Sequence, residues 1–181
     1  MADRTSPADR NRDLIHRLYE ALGRRDAETM AACYSPDARF RDPAFGELTG
    51  EQAGDMWRML AGRSRDLEVN LIEHEADAGR GSARWVARYT FTPTGRPVMN
   101  DIRAEFRFQG GLILEHTDRF SFFRWSRQAL GPLGKLLGWS PLLRLVFRRQ
   151  ARRNLARFSG RRRAQGLEES ANSDENRPPR S

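Results

Sequence analysis

Residues 100–123 read NDIRAEFRFQGGLILEHTDRFSFF, and the alternation within them decides the fold. Ile102, Ala104, Phe106 and Phe108 fall on one side, while Asp101, Arg103, Glu105 and Arg107 fall on the other. A period of two with one dry and one wet side marks a strand covered on a single face. The second half repeats the pattern, with Leu112, Leu114, Phe120 and Phe122 on one face and Glu115, Thr117, Arg119 and Ser121 mostly opposite. Gln109-Gly110-Gly111 predicts a three-residue turn ending in a left-handed glycine, which sets Phe108 across from Leu112. The dry face of the second strand also carries His116 and Asp118. Ionisable groups aimed at a core must be satisfied there or line a cavity.

Working upstream, Ala83–Thr92 is a strand with Trp85, Ala87, Tyr89 and Phe91 dry, and Leu67–His74 is its partner across a turn near Asp77–Gly81. Before these, Leu14, Leu18 and Leu22, with Ile15 and Tyr19, make one apolar stripe on a helix over Asp9–Arg24. A shorter helix opens at the N-cap Asp26, buries Met30 and Tyr34, and stops at Ser35-Pro36-Asp37. Ala38–Asp42 is a short strand in which Phe40 and Asp42 share a face. A third helix starts at Thr49 or Gly50 and presents Met56, Trp57 and Leu60. Helices followed by long strands predict an α+β fold, a curved antiparallel sheet with helices on one face. Such a sheet curls and leaves a conical pocket.

Downstream the texture changes. The total charge is +8, yet Arg119–Arg163 holds 13 Lys/Arg and no Asp or Glu, leaving the remainder at −5. The basic character therefore belongs to an extension. Ser140-Pro141 opens an amphipathic helix to about Phe158, striped by Leu143, Phe147, Ala151, Leu155 and Phe158. The predicted organisation is a disordered 1–8, a domain at 9–123, a basic helical extension at 124–160 and a disordered tail at 161–181. The single Cys33 excludes an internal disulfide or a cysteine zinc site. With no signal peptide and no spanning run, a cytoplasmic location is expected.

Three stretches resemble the nuclear transport factor 2-like superfamily, which includes ketosteroid isomerases and SnoaL-like polyketide cyclases. They are GRRDAETMAACYSPDARFRDPAFG, with its Asp-Pro at a strand end, LTGEQAGDMW at the start of the third helix, and GGLILEHTDRF. The resemblance spans Leu14–Phe123. It implies a cone-shaped α+β barrel with a hydrophobic pocket for a small apolar molecule, often as a homodimer, and no single activity.

Asp118 matches the acid/base aspartate of SnoaL-like cyclases, and its alternation independently turns it inward, where desolvation raises a carboxyl's proton affinity. The competing reading is a structural pair with His116, which faces the same way and either orients Asp118 or donates to a developing enolate. Asp42 matches the ketosteroid isomerase base, although an Asp before Pro also caps turns. The isomerase's helix-1 tyrosine falls on Leu18, beside Tyr19, and its protonated oxyanion-hole aspartate falls on Ala104, which argues against a steroid isomerase. Tyr19, Trp57, Asn100 and Phe106 are candidate ligand contacts, with plain core packing the alternative for Trp57 and Phe106. No inward acidic trio or second histidine suggests a metal, and no cofactor is expected.

Two functions stay open: cofactor-free acid/base chemistry on a hydrophobic carbonyl compound, or a non-catalytic binding module. The extension has three readings. It folds back on its own domain, or it lies on an anionic membrane surface through 140–158, or it binds nucleic acid. Without aromatic stacking platforms, nucleic acid is not expected.

Overall fold

The computed structural model describes residues 6–63 and 66–175, with the side chains of residues 137 and 168–175 left aside. Helix α1 (Pro7–Arg24) begins two residues earlier than its apolar stripe predicts. The Ser6 hydroxyl accepts the Asp9 N–H, and Pro7 occupies the first turn, where no N–H is needed. Residues 7 and 8 are thus helical, and residues 1–5 of the expected disordered start lie outside the described residues. Leu14, Ile15, Leu18 and Leu22 are all buried, at about 1.5–3 kcal/mol apiece.

Helix α2 (Ala27–Ala32) is capped by Asp26 and ends sooner than expected, so Tyr34 opens strand β1 (Tyr34–Asp42) instead of closing a helix. Ser35-Pro36-Asp37 is accommodated as an irregularity in that strand, between Tyr34 and Arg39. A short β2 (Gly46–Thr49), absent from the sequence reading, folds back on β1 before α3 (Gly50–Arg63). Four long strands follow: β3 (Glu68–Ala76), β4 (Arg80–Phe91), β5 (Arg96–Gln109) and β6 (Leu112–Arg119).

The six strands form one curved, unclosed sheet in the order β2-β1-β6-β5-β4-β3. The fold class is α+β as expected, with one correction: the sheet is mixed, because β1 and β6 run parallel. Parallel neighbours need a long crossover, and α3 with β3–β5 supplies it. The β5–β6 turn also differs. Gly110 and Gly111 both have positive φ, 60° and 78°, giving a two-residue turn that pairs Gln109 with Leu112 and Phe108 with Ile113. The register then shifts, and Leu114 is the extra residue. The shift reverses the phase of the strand. Ile113 is fully buried, Leu112 and Leu114 are only half-buried, and His116 and Asp118 still point inward.

After β6, Ser121 caps α4 (Phe122–Leu130), which α5 (Pro132–Leu137) and the long α6 (Pro141–Glu175) follow. Helix α6 continues through residues 161–175, where a disordered tail was expected, and residues 176–181 lie outside the described residues. Gly160 and Gly166 cost a helix about 1 kcal/mol each but do not stop it. The extension is docked on its own domain. Leu155, Ala151 and Phe158 join the main core, while Leu143 and Phe147 pack with Val98, Phe122, Trp125 and Ala129. Arg148 and Arg152 reach the Pro43 and Glu47 carbonyls, and Arg162 pairs with the buried Asp55 of α3 at 2.7 Å.

Helices α4 and α5 touch through glycines. A Cβ at Gly134 would collide with the Ser126 carbonyl, and one at Gly138 with the Ser126 hydroxyl. Gly134→Ala is therefore expected to lower stability by roughly 1–3 kcal/mol in urea denaturation. Gly160→Ala, with nothing within 4 Å, is expected to raise it by about 0.5–1 kcal/mol.

Candidate functional site

The interior of the curved sheet is lined by alternate residues of β1, β6, β5 and β4, and the register brings the polar ones together. Phe40 pairs with His116, and His116 with Phe106. One step further along the same ladders, Asp42 of β1 comes beside Asp118, which pairs with Ala104. The three candidate catalytic side chains, Asp42, His116 and Asp118, thus share one region of the interior.

His116 is completely buried and hydrogen-bonded at both nitrogens. Its Nδ1 lies 2.7 Å from the Tyr34 hydroxyl, and its Nε2 lies 3.0 Å from Asp118 Oδ1. The Tyr34 hydroxyl accepts the Trp57 indole N–H at 3.1 Å. Those partners assign the protons: Tyr34 donates to Nδ1, and the Nε2–H donates to the carboxylate. The result is a one-way chain of donors from Trp57 through Tyr34 and His116 to Asp118. Phe106 lies against the imidazole at 4.4 Å between centroids, and Phe40 meets it edge-on at 5.0 Å. Burial above all pushes the Tyr34 phenol far up, so it stays a donor.

Asp42 accepts the Phe45 N–H at 2.5 Å. Part of its surface reaches solvent, but the carboxyl itself is deeply enclosed. Burial, opposed by the backbone donors of its own turn and reinforced by the Asp118 charge, pushes it up to about 7. Tyr19 and Trp85 stack at 5.0 Å in the same interior, and neither the Tyr19 hydroxyl nor the Trp85 indole N–H meets a partner. The Tyr19 phenol is raised by burial first and by Asp118 second.

Of the expected ligand contacts, Tyr19 presents its hydroxyl to this region, Trp57 is committed to Tyr34, and Phe106 is a wall of the His116 cage. Asn100 is half-buried opposite Ala87, and its side chain makes no hydrogen bond among the described residues. Sequence reasoning missed Tyr34, which looked like an apolar helix position, and also Tyr89. Tyr89 accepts the Trp125 N–H of α4 at 2.9 Å, and Asp42 lies within its field. A conical pocket is expected there; in the structure Phe122 and Trp125 of α4 and Phe147 of α6 cover the end of the sheet that carries Tyr89, Phe91 and Val98. Two surface grooves, about 300 and 450 Å³, have none of Asp42, His116 or Asp118 in their walls. Among the described residues, no three His, Cys, Asp or Glu side chains gather as metal ligands.

The fold has relatives. The model of the SnoaL-like domain matches residues 15–116, more than half of the chain. The chain belongs to the SnoaL-like domain family. Solved structures with the same fold include an epoxide hydrolase-like protein of M. tuberculosis at 19% identity and a TM-score of 0.59, covering 72% of this chain and 96% of that one. A putative SnoaL-like polyketide cyclase from Jannaschia sp. superposes at 15% identity and a TM-score of 0.62, covering 73% and 99%. The putative polyketide cyclase IdmH of Streptomyces antibioticus does so at 24% and 0.56, covering 68% and 98%. No curated protein matches the chain in sequence.

Two outcomes follow from the site. Folded Asp42 keeps its proton up to about 7, whereas unfolded Asp42 loses it near 3.8, so its contribution to stability falls as pH rises between those values. Asp42→Asn keeps the acceptor for Phe45, and urea titrations should show it flattening that slope and gaining about 2 kcal/mol above neutrality. Tyr34→Phe strands both the Trp57 donor and His116 Nδ1, and should cost about 2 kcal/mol in the same assay.

Proposed function

We propose that the interior takes a small apolar molecule bearing a carbonyl group, and that Asp42, with Asp118 as its charged neighbour, carries proton transfer on it without a cofactor. One observation carries this reading: two carboxyls on adjacent strands lie close enough for the charge of Asp118 to act on Asp42, in an apolar interior that also holds two unpartnered donors. Buried donors without partners are uncommon in proteins, and a ligand oxygen would satisfy them.

The chemistry is assigned as follows. Asp42, pushed up to about 7, is balanced between acid and base near neutral pH, the range in which proton transfer is efficient. Its carboxylate takes the proton from the carbon next to the carbonyl and returns it to the same or a conjugated carbon, so nothing is oxidised. Electron density moves to the carbonyl oxygen, where the Tyr19 hydroxyl and the Trp85 N–H are available to donate. Asp118 accepts from the Nε2–H of His116, and its charge adds to the burial that raises Asp42. It pairs with Ala104, the position where the resemblance to isomerases leaves an acid missing, so a carboxyl stands one strand over. The polyketide cyclase and epoxide hydrolase names carried by structures of this fold are compatible with acid/base work on small molecules.

The non-catalytic reading is favoured by a different observation: His116 and Asp118 are 0% and 6% exposed. Substrate entry therefore requires α4 and α6 to lift from Tyr89. Hydrogen–deuterium exchange at the α-carbon of a panel of apolar ketones separates the two. The enzyme reading expects exchange that drops on the order of 10²–10⁴-fold in Asp42→Asn, with a smaller loss in Tyr19→Phe. Ketones that quench the interior tryptophans yet exchange no faster than in buffer would leave a binding protein.

A further inference from the structure

The extension spends one face on its own domain and leaves another uncovered. Leu133, Leu136, Trp139, Leu142 and Leu145 recur every third residue through the α5–α6 elbow, with Val146 alongside. All are exposed, Trp139 to 74%. They are not the docked stripe, because Leu143, Phe147, Ala151, Leu155 and Phe158 already fill that role. Six exposed apolar side chains within fourteen residues point to a partner.

Cations flank the ridge on both sides. One groove, about 300 Å³, is walled by Arg96, Arg124, Arg127 and Lys135, together with Pro97 and Gln128. The other, about 450 Å³, runs between Trp139, Pro141, Arg144, Leu145 and Arg148. Arg119, Arg162 and Arg163 are spent on acids of the domain. Lys135, Arg144, Arg149 and Arg153 have no ion pair among the described residues, and residues 119–163 hold no acid to give them one. The Trp139 N–H donates to the Leu136 carbonyl at 2.9 Å, so the ring can leave water without stranding its donor.

We infer that the α5–α6 elbow docks on an anionic lipid bilayer. The ridge enters the boundary between headgroups and acyl chains, and the flanking cations meet the phosphates. Charge complementarity selects this occupant. A second copy would bring the same excess of positive charge to the interface, and nucleic acid has no use for five aliphatic side chains in water. Attachment is peripheral, since no helix among the described residues is long and apolar enough to cross a membrane. The docked elbow leads directly into the helix that covers the interior, so the bilayer would supply apolar ligand beside the cover. That clause alone depends on the function proposed above.

The test is sedimentation of the full chain with vesicles of phosphatidylglycerol or of phosphatidylcholine, alongside tryptophan fluorescence. Trp57, Trp85 and Trp125 are buried, so Trp139 is the tryptophan whose emission should shift to the blue on binding. Binding is expected on phosphatidylglycerol and not on phosphatidylcholine, and it should weaken with salt. Trp139→Phe should bind without the shift. Leu136→Ser with Trp139→Ser should lose more than roughly tenfold in affinity. Arg144→Gln and Arg149→Gln should lose roughly fivefold each. These positions are exposed, and circular dichroism checks that each variant is folded. No association with either lipid overturns the inference. So does equal binding to both, a dimer dissolved by Trp139→Ser without vesicle binding, or RNA binding that depends on the arginines but not on Trp139.

Discussion

The parallel ladder between β1 and β6 is the constraint on which the rest of the structure depends. It joins an early strand to a late one, and its register sets Phe40 against His116 and brings Asp42 to Asp118. The buried hydrogen-bond chain on His116 then answers to that placement. Tyr34, at the start of β1, can reach Nδ1 only because β1 lies on β6, and Trp57 reaches Tyr34 only because α3 returns across the same strand. A buried imidazole without partners would be expensive, and here both nitrogens are satisfied by groups that the ladder delivers. Asp42, one step along the same ladder, is enclosed by the same interior, and burial above all, with the Asp118 charge added, pushes it up to about 7 despite backbone donors of its own.

Much of the fold was legible because its elements are strongly periodic. The dry faces of β4 and β5 follow the alternation residue by residue, and α1 buries the stripe its leucines outline. The candidate acids were legible for the same reason. What alternation could not show was the extra residue at Leu114. Counting by twos from Leu112 puts Leu112 and Leu114 inside, whereas the tight glycine turn and the shift put Ile113 there. His116 and Asp118 point inward only because they lie beyond the shift, in phase with the original count. The identification of those two residues as inward was right, although the register assumed for the turn was not.

Other features were illegible because they rest on contacts distant in sequence. Tyr34 has an apolar-looking neighbourhood in the chain, and only the β1–β6 ladder reveals its hydroxyl as the centre of a hydrogen-bond chain. The length of β2 is set by pairing with β1 and has no strong pattern of its own. Closure of the interior also came from afar, through Trp125 on Tyr89 and Phe147 on Phe91. Local propensity carries no information about which apolar helix will cover which end of a sheet.

Helix α6, which reaches across α3 and the β1–β2 turn, has a consequence for the order of events during synthesis. The chain emerges from the ribosome with its N-terminal end first, so the six strands are complete before the residues that cover them have left the tunnel. The sheet can curl and its buried histidine can find its partners while that end is still open. Arg162 and Arg163 can meet Asp55 and Glu51 of α3 only after that, when the covering helix is laid down.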